Sequence, residues 1–272
     1  MSAAGVGPLP ADLARYLATA RLGRRVYFYP ETDSTNDVAL ELARGGEPEG
    51  TIVVADHQRR GRGRRGHAWT SPPGRDVLCS LILRPEGDAR GALAVTLAIA
   101  TAISVALSKL LDADFFVKWP NDVVCRTGKI AGILAESAGS GGRVEHVVVG
   151  MGINVNSDAA DWPDDVRSAA ASFRTLTGSR WDRALVLADV LGAVEAYYDR
   201  FRREGFGPLA SAYEARLWQM ARAVSFERSG ERSGERVTGV VTGVARDGAL
   251  RVRLDADAAV VDLYNEVVEV IG

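Results

Sequence analysis

The stretch that organises this chain is residues 51–69, Thr-Ile-Val-Val-Ala-Asp-His-Gln-Arg-Arg-Gly-Arg-Gly-Arg-Arg-Gly-His-Ala-Trp. Its first part, Thr51–Ala55, is an apolar run that predicts a buried strand. Arginines separated by single glycines then follow. Glycine lets a backbone approach a ligand closely, and arginine offers a planar set of donors that matches phosphate and carboxylate. The stretch therefore predicts a strand that leads into an anion-binding loop. The loop residues are Arg59, Arg60, Gly61, Arg62, Gly63, Arg64, Arg65 and Gly66.

The spacing Gly61-x-Gly63-x-x-Gly66 after a strand matches the dinucleotide-binding fingerprint, in which the last glycine opens a helix. Residues 72–74 are Pro-Pro-Gly, and prolines at this distance prevent such a helix. The Gly-Lys-Ser/Thr ending of a Walker A loop is missing as well. The loop by itself leaves two interpretations open. One is a phosphate-binding loop, and the other is a solvated basic loop or nucleic-acid patch.

The chain as a whole is close to neutral. Its 272 residues include 33 Lys and Arg against 35 Asp and Glu, which gives a net charge of −2 and an isoelectric point near 6.0. Nucleic-acid-binding domains usually carry a basic face, so this balance weighs against a nucleic-acid partner and favours a local substrate-binding loop. With 47% hydrophobic residues, the chain can bury a large core.

Composition also bears on location and metal content. Cys79 and Cys125 are the only cysteines and lie in apolar runs, which favours buried free thiols and a reducing cytoplasm. Residues 1–10 show no signal-peptide pattern.

The three histidines lack metal-ligand spacing, so we expect no protein-bound metal site. Residues 91–108 carry no charge, but their alanines and hydroxyl side chains favour a buried core helix over a membrane span.

Hydrophobic periodicity predicts an α+β fold. We expect helices at 11–22, 34–44, 91–111, 182–203 and 209–220, and strands at 26–30, 51–55, 77–83, 115–119, 123–125, 128–136 and 146–156. From Ala223 onwards helical periodicity is absent, and the alternating Leu250, Val252 and Leu254 predict short strands. The chain is therefore divided into a larger domain, residues 1–220, and a small β domain, residues 221–272.

Three polar features interrupt these elements. Ser34 with Asp37 resembles a helix capping box, although hydroxyl and amide groups at a helix start also bind polar ligands. Lys118 lies in an apolar strand that ends in a Pro-Asn-Asp turn, a position that favours pairing with an anion. Gly150 and Gly152 interrupt a central strand, which is typical of a bulge or of close approach by a ligand.

Five motifs in order carry a family resemblance. They are Ser34-Thr35-Asn36, Gln58 with Gly61–Gly66 and Trp69, Lys118–Asp122, Gly128–Leu134, and Gly150–Asn154. Together they resemble the biotin protein ligases over residues 26–272. The resemblance implies a central mixed β-sheet flanked by helices (the biotin/lipoate ligase catalytic fold), followed by a C-terminal SH3-like β-barrel.

The chain departs from the family pattern in two places. Bifunctional members carry an N-terminal winged helix that binds operator DNA, and there is no room for one before Val26. We therefore expect a monofunctional ligase that is not a repressor. The family also tends to have a glycine before a glutamate near the C-terminus, where this chain has Asn265-Glu266.

The resemblance implies an ATP-dependent reaction in two steps. The carboxylate of biotin attacks the α-phosphate of ATP, which yields biotinyl-5′-AMP and pyrophosphate. A lysine of a biotin carboxyl carrier protein, the carrier of acetyl-CoA carboxylase, then attacks the mixed anhydride and releases AMP. Mg²⁺ is expected on the phosphates. Because two anions must meet, positive charge is the main catalytic requirement. We expect a cytoplasmic monomer or homodimer without a nucleic-acid or membrane partner.

The same resemblance implies roles for individual residues. Lys118 and Arg62 are the expected catalytic residues, with Lys118 bridging carboxylate and α-phosphate oxygens. Lys129 and Asn154 are expected on the nucleotide side. The expected residues for biotin and biotinyl-AMP, from the ureido head to the adenylate, are Ser34, Thr35, Asn36, Gln58, Gly61, Arg62, Gly63, Arg64, Trp69, Lys118, Gly132, Gly150 and Gly152.

Three other functions stay open at this point. A lipoate–protein ligase shares the catalytic fold, although the arginine-rich loop and Lys118–Asp122 favour biotin. A non-enzymatic nucleic-acid-binding protein would use the arginine loop alone. A ligand sensor would bind biotin without transferring it.

Overall fold

The computed structural model describes residues 8–85, 91–140, 143–227 and 234–271. Residues 1–7, on which the signal-peptide prediction partly rests, lie outside these ranges. The helices are α1 (Pro8–Tyr16), α2 (Thr35–Arg44), α3 (Gly91–Leu111), α4 (Asp164–Arg167), α5 (Phe173–Thr177), α6 (Arg183–Glu204) and α7 (Gly207–Glu214), with short 3-10 helices at Arg64–Gly66 and Ala159–Asp161. The strands are β1 (Val26–Tyr29), β2 (Ile52–Ala55), β3 (Val77–Leu83), β4 (Phe116–Lys118), β5 (Asp122–Cys125), β6 (Gly128–Ser140), β7 (Arg143–Ile153), β8 (Ala223–Glu227), β9 (Arg236–Val244), β10 (Leu250–Leu254), β11 (Val260–Leu263) and β12 (Val268–Val270).

Seven strands form the larger sheet, in the order β1-β2-β3-β7-β6-β5-β4. Strands β1 and β2 are parallel, and every other neighbouring pair is antiparallel, which confirms the predicted mixed sheet. Helix α2 packs against β2, β3 and β7, whereas α3 packs against β4–β6 and α6. Because helices cover both faces, β2 and β3 are buried along their whole length, as their uninterrupted apolar sequences predict.

Helix α3 is long and apolar enough to cross a membrane, and it is the one helix in the described residues that meets those criteria. Within its most apolar window, 72% of the residues are buried inside the protein. Its apolar side chains, among them Leu97, Ile99 and Ile103, belong to the main hydrophobic core together with residues of β3 and α6. The predicted core helix is confirmed.

Five strands form a second, antiparallel sheet in the order β11-β10-β9-β8-β12. Burial alternates along β10. Leu250, Val252 and Leu254 are buried, and the two arginines between them are exposed. This is the small β domain that the alternation predicts. The boundary at residue 220 remains a prediction.

Helix α1 ends at Tyr16, so the prediction of a helix through Leu22 is wrong. The chain leaves the helix because the carboxylate of Glu195, on α6, accepts three backbone N–H groups there. These bonds come from Ala20 (2.7 Å), Arg21 (2.7 Å) and Leu22 (2.9 Å). An acceptor from a distant helix therefore replaces the intrahelical carbonyls.

Helix α7 ends at Glu214, six residues before the predicted end at Met220. The chain extends there to pair with β4, the edge strand of the larger sheet. Val117 N donates to Arg216 O at 2.8 Å, and Trp218 N donates to Val117 O at 2.8 Å. The N–H and C=O groups on the unpaired side of an edge strand need hydrogen-bond partners. The segment after Glu214 supplies them here and therefore does not continue the helix.

Candidate active site

A cleft of about 890 Å³ opens between the glycine–arginine loop, the start of α2, the β4–β5 turn and strands β6 and β7. The predicted site residues come from five separate segments of the chain, and the fold brings them to this one cleft. Gly61 is the exception among them. Gly61 is buried within the loop, where an added Cβ would lie 3.0 Å from Gln58 Nε2 and closer still to Trp69 O. The predicted residues that line the cleft are Ser34, Thr35, Asn36, Gln58, Arg62, Gly63, Arg64, Trp69, Lys118, Lys129, Gly132, Gly150, Gly152 and Asn154.

One end of the cleft is a network of uncharged hydrogen-bonding groups at the start of α2. The predicted capping box is wrong, because the Ser34 side chain makes no capping hydrogen bond. Gln58 takes that role from outside the helix. Its Oε1 accepts from Thr35 N at 2.7 Å and from Thr35 Oγ1 at 2.9 Å. These hydrogen bonds connect the start of α2 to the segment just before the loop arginines.

Ser80 belongs to the same network, and sequence reasoning missed it. It lies within the buried strand β3, and its Oγ is 2.7 Å from Thr35 Oγ1 and 2.6 Å from Asn36 Oδ1. The available signal was one hydroxyl inside the otherwise apolar Val77–Leu83. A fully buried hydroxyl needs a partner, so its presence pointed to polar groups packed on that strand.

Asn36 reaches across the sheet towards Glu136 on β6. Its Nδ2 donates to Glu136 Oε2 at 2.6 Å and to Leu134 O at 3.3 Å. Gly150 is the residue of β7 beneath it, and the lack of a side chain there makes room for the amide. The close approach that the strand glycine predicts is therefore made by a side chain of the protein itself.

The indole of Trp69 forms a wall of the cleft. It lies against Gly152 and Gly132, where added Cβ atoms would come within 2.6 Å of Cζ2 and 2.8 Å of Cζ3. The ammonium of Lys129 lies 5.4 Å from the indole ring and pairs with Asp122 Oδ1 at 2.7 Å. Trp69 Nε1 is buried without a hydrogen-bond partner in the described part of the chain. Glycines on two neighbouring strands thus admit an aromatic ring.

The loop arginines divide into two sets. Arg59 and Arg60 both pair with Asp33, at 2.8 Å for Arg59 Nε, and neither lines the cleft. Hydrogen bonds from Arg60 and then Arg59 lower the pKa of the Asp33 carboxyl. These two arginines fasten the loop to the turn before α2. Arg62, Arg64 and Arg65 line the cleft.

Arg62 is held by carboxylates at the edge of the cleft. Its Nη2 lies 2.6 Å from Asp37 Oδ1 and 3.1 Å from Glu136 Oε2, and 43% of its side chain is exposed. The predicted catalytic Arg62 is therefore an ion-paired side chain in this structure. Sequence reasoning missed both of its partners.

Arg64 and Arg65 face the C-terminal domain. Arg64 lies 3.4 Å from Asn121 Oδ1 and 3.5 Å from Asn265 Oδ1. Burial, and secondarily the charge of Arg65, lowers the pKa of Arg64. Arg65 has a positive φ of 56° and donates to Asn265 O. Arg64 is thus a partly desolvated cation without a carboxylate partner among the described residues, so an anion in the cleft would stabilise its charge.

Lys118 is the last residue of β4, and its side chain is exposed to the cleft. In the described part of the chain it forms no ion pair. The turn that follows it is tied to β6 by Asn121, whose Nδ2 donates to Ile133 O at 3.0 Å. A compact ammonium is thereby available on a rigid strand end.

Asn154 lines the cleft, and two backbone carbonyls hold its side-chain amide. Its buried amide donates to Ala171 O at 3.0 Å and to Lys129 O at 3.3 Å. These bonds fix the segment after α4 to β6. The stretch that contains α4 contributes a further wall of the cleft, which sequence reasoning did not predict; its cleft residues include Trp162, Asp165, Val166 and Ala169.

The C-terminal domain also reaches the cleft, through Glu266, Val267 and Val268. The sequence carried no local signal for this contact. The cleft as a whole therefore has a neutral hydrogen-bonding end, an aromatic wall and a cationic end. Such a cleft suits an elongated ligand with a polar head and an anionic tail. Within the described ranges, no group of three or more His, Cys, Asp or Glu side chains is arranged to hold a metal ion.

Comparisons with known proteins agree with this arrangement. The biotin/lipoate A/B protein ligase family matches residues 28–154. The chain is 36% identical over 196 residues to the biotin–[acetyl-CoA-carboxylase] ligase of Paracoccus denitrificans, and the match covers 71% of this chain and 81% of that protein. The chain belongs to the biotin/lipoate protein ligase family.

Other members of the biotin/lipoate protein ligase family differ in length. The chain is 36% identical over 199 residues to the bifunctional ligase/repressor BirA of Bacillus subtilis strain 168, a match that covers 73% of this chain and 61% of that protein. It therefore spans less than two thirds of that relative. Among solved structures, the biotin protein ligase from Aquifex aeolicus in complex with biotin and ATP superposes with a TM-score of 0.76 at 26% identity. That superposition covers 91% of this chain and 100% of the other.

The predicted fold class and family are confirmed by these matches. The Paracoccus denitrificans relative and the Aquifex aeolicus structure are both named as biotin ligases, which favours the biotin branch of the biotin/lipoate protein ligase family over the lipoate branch. The roles of the individual site residues remain predictions.

Proposed function

We propose that this protein is an ATP-dependent biotin–protein ligase. It activates biotin as biotinyl-5′-AMP and transfers the biotinyl group to a lysine of a biotin carboxyl carrier protein. The observation that carries the proposal is one cleft with a neutral hydrogen-bonding end near Asn36 and a cationic end at Lys118 and Arg64. A similar protein whose structure is solved binds biotin and ATP, which supports this choice of substrates.

The neutral end suits the ureido head of biotin. A ureido group presents N–H donors and one carbonyl acceptor, and Thr35, Asn36, Gln58 and Ser80 offer hydroxyl and amide groups of both kinds. These side chains already bond to one another at 2.6–2.9 Å. Their positions are therefore set before the ligand arrives, which lowers the entropic cost of binding.

The cationic end serves the first step. A biotin carboxylate and the α-phosphate repel each other, so groups that neutralise both lower the barrier. Lys118 forms no ion pair in the described structure, and Arg64 is partly desolvated. Both gain electrostatic stabilisation when the anions meet between them. Arg62 must first break its ion pairs with Asp37 and Glu136 before it can bind the ligand. We therefore propose Lys118, and not Arg62, as the principal catalytic cation.

The nucleotide occupies the other side of Lys118 in this proposal, near Lys129 and Asn154. Mg²⁺ enters as the ion that the phosphates carry, since magnesium in nucleotide sites is bound mainly by phosphates, water and one or two carboxylates. Asp122 lines the cleft but pairs with Lys129 at 2.7 Å. We therefore treat the ion as part of the MgATP substrate.

In the second step, the neutral lysine amine of the carrier attacks the carbonyl carbon of the anhydride. The new C–N bond forms, the C–O bond to the phosphate breaks, AMP leaves, and the attacking nitrogen releases one proton. Water would hydrolyse the anhydride, so the cleft must stay closed to solvent until the carrier binds. The glycine–arginine loop, residues 59–66, is the proposed cover. We extend the proposal to a cytoplasmic enzyme that acts as a monomer or homodimer.

Incubation with ATP, Mg²⁺, biotin and a carrier domain tests this proposal, with the mass of the carrier as the readout. We expect a gain of one biotinyl group. A lipoyl gain in a parallel reaction would move the protein to the lipoate branch. Biotin binding without transfer would identify a sensor. Binding to DNA or RNA that weakens steeply with salt, without carrier modification, would support the nucleic-acid alternative.

A further inference from the structure

We infer that Gln219 is a positioning residue for the adenylation step. Its side-chain amide fixes the backbone next to Lys118 and thereby sets where the ammonium lies in the cleft. Gln219 belongs to the connection between the two sheets and does not line the cleft. This inference rests on the proposed function, in which Lys118 bridges the carboxylate and the α-phosphate.

Both ends of the Gln219 amide bond to the backbone of Trp119. Trp119 N donates to Gln219 Oε1 at 2.9 Å, and Gln219 Nε2 donates to Trp119 O at 3.2 Å. The side chain is completely buried, with 0% exposure. A buried amide whose acceptor and donor are matched to the N–H and C=O of one residue leaves the backbone of that residue little freedom.

The position of these bonds explains why a side chain is needed. Strand β4 is the edge of the larger sheet, and its outer side pairs with Arg216 and Trp218 through Val117. Trp119 lies two residues beyond Val117, just past the end of β4, and no backbone group of the described segment 216–220 bonds to it. The Gln219 amide occupies the place of the next backbone pair. It therefore extends the ladder past Lys118.

The side chain of Trp119 is held by the C-terminal domain, where the indole Nε1 donates to Gly248 O at 3.1 Å. The Lys118 side chain, in contrast, forms no ion pair in the described part of the chain. Its place in the cleft therefore depends on the backbone. Misplacement of a reacting group by about 1 Å can cost about 100-fold in rate.

A second buried amide in the chain makes the same pair of backbone hydrogen bonds and provides a matched control. Asn156 binds the backbone of Trp181 in the same manner, with Nδ2 to Trp181 O at 2.9 Å and Trp181 N to Oδ1 at 2.9 Å. Asn156 is also buried and does not line the cleft. Loss of either amide should cost stability, but only Gln219 is adjacent to Lys118 in the structure.

The test uses the full chain and the variants Gln219→Glu, Gln219→Met and Asn156→Asp. For each, single-turnover formation of biotinyl-AMP and equilibrium binding of biotin are measured separately between about pH 9.5 and about pH 5.5, a range that spans the raised pKa of a buried carboxyl group. In Gln219→Glu, the ionised side chain cannot donate to Trp119 O. The protonated side chain can donate to Trp119 O and accept from Trp119 N, so it restores both bonds.

We expect Gln219→Glu to form biotinyl-AMP about 10- to 100-fold more slowly than the wild type at the high end of this range. Biotin affinity should change by less than about threefold, because the neutral end of the cleft is untouched. The rate relative to wild type should recover as the pH falls. Gln219→Met should stay slow throughout, and Asn156→Asp should lose stability but keep the wild-type rate.

A wild-type rate in Gln219→Met would overturn the inference, as would equal losses of rate and biotin affinity. The inference would also be contradicted if Asn156→Asp formed biotinyl-AMP slowly at high pH and recovered its rate as the pH falls. Loss of the folded circular dichroism spectrum in both Gln219 variants would assign the residue to stability alone. If the wild type itself forms no biotinyl-AMP, the proposed function fails; if it does and the Gln219 variants match it, only this inference fails.

Discussion

Asn36 occupies the space that Gly150 leaves open on the central strand β7. An ideal Cβ on Gly150 would lie 3.0 Å from Asn36 Cγ and closer still to Oδ1. The amide cannot move away freely, because Oδ1 lies 2.6 Å from Ser80 Oγ and Nδ2 donates to Glu136 at 2.6 Å. A strand glycine therefore sets the geometry of the proposed biotin head site.

Gly150→Ala should displace this amide and weaken biotin binding by about tenfold or more, since a ligand group would lose a hydrogen-bond partner. Titration calorimetry measures the change. Gly192→Ala on α6 is the matched control, because nothing lies within 4 Å of an added Cβ there. That control should stabilise the protein by about 0.5–1 kcal/mol and leave biotin affinity unchanged. Unchanged affinity in Gly150→Ala would remove Asn36 from the proposed head site.

Lys118→Ala should lower the rate of biotinyl-AMP formation by about 100-fold or more, while biotin binding weakens much less. The reason is that the ammonium acts where two anions meet and not at the ureido head. Single-turnover kinetics and direct biotin titration separate the two effects. Lys109→Ala is the control, because Lys109 is 79% exposed on α3, outside the cleft. Normal adenylation in Lys118→Ala would contradict the proposed mechanism.

Arg64→Gly should release the intermediate into solution. Arg64 joins the loop to Asn121 and Asn265, so its loss opens the proposed cover. We expect free biotinyl-AMP to increase by at least about tenfold and unrelated proteins to become labelled, as expected when a lid no longer sequesters its intermediate. Arg60→Gly, in the same loop but outside the cleft, should retain the intermediate, because Arg59 still holds the loop to Asp33. Full retention by Arg64→Gly would argue against the cover.

Asp76→Ala should unfold at markedly lower urea concentration. The buried carboxylate accepts from Val155 N at 2.8 Å, Asn156 N at 3.2 Å and Ser157 N at 3.2 Å, and from two serine hydroxyls. Removal leaves several buried donors unsatisfied, so the free energy of unfolding should fall by about 3 kcal/mol or more. Asp164→Ala, whose side chain is 90% exposed, should change it by less than about 0.5 kcal/mol. A small effect at Asp76 would mean that water replaces the lost acceptor.

His146 should make the protein less stable in mild acid. Burial first, and then the positive charges of Arg84 and Arg44, lower its pKa against the opposing effect of Glu145. Its Nε2 has no hydrogen-bond partner among the described residues. The unfolded state therefore binds a proton at higher pH than the folded state, and stability falls as the pH drops below about 6.5. In His146→Leu, the free energy of unfolding measured by urea titration should depend less steeply on pH below that value. An equal slope in both proteins would contradict the assignment.

Much of the architecture was predictable because it depends on local apolar patterns. The strand Val77–Leu83 and the helix through Leu111 have the bounds that the sequence predicts. A continuous apolar run has few alternatives to burial, so local sequence is sufficient there. The end of α7 was not predictable, because the competing partner of that segment, Val117, lies about a hundred residues earlier.

The site shows the same division. Gly150 and Gly152 indicated a bulge or close approach, but the approaching groups were the side chains of Asn36 and Trp69, which only the packed structure reveals. The helix start at Ser34 suggested a capping box, yet Gln58 supplies the cap from a segment that local sequence does not relate to it. Glu266–Val268 joined the cleft without any local signal.

Sequence alone determined that glycines and arginines alternate after a buried strand, and hence that a cationic, glycine-rich loop follows that strand. Tertiary structure decided what each arginine does. Arg60 pairs with Asp33, Arg62 with Asp37 and Glu136, and Arg64 is left partly buried without a carboxylate partner in the described structure. Guanidinium groups are chemically identical along the chain, and only folding brings a carboxylate to some of them. Which cation is free for an anionic ligand is therefore a property of the fold.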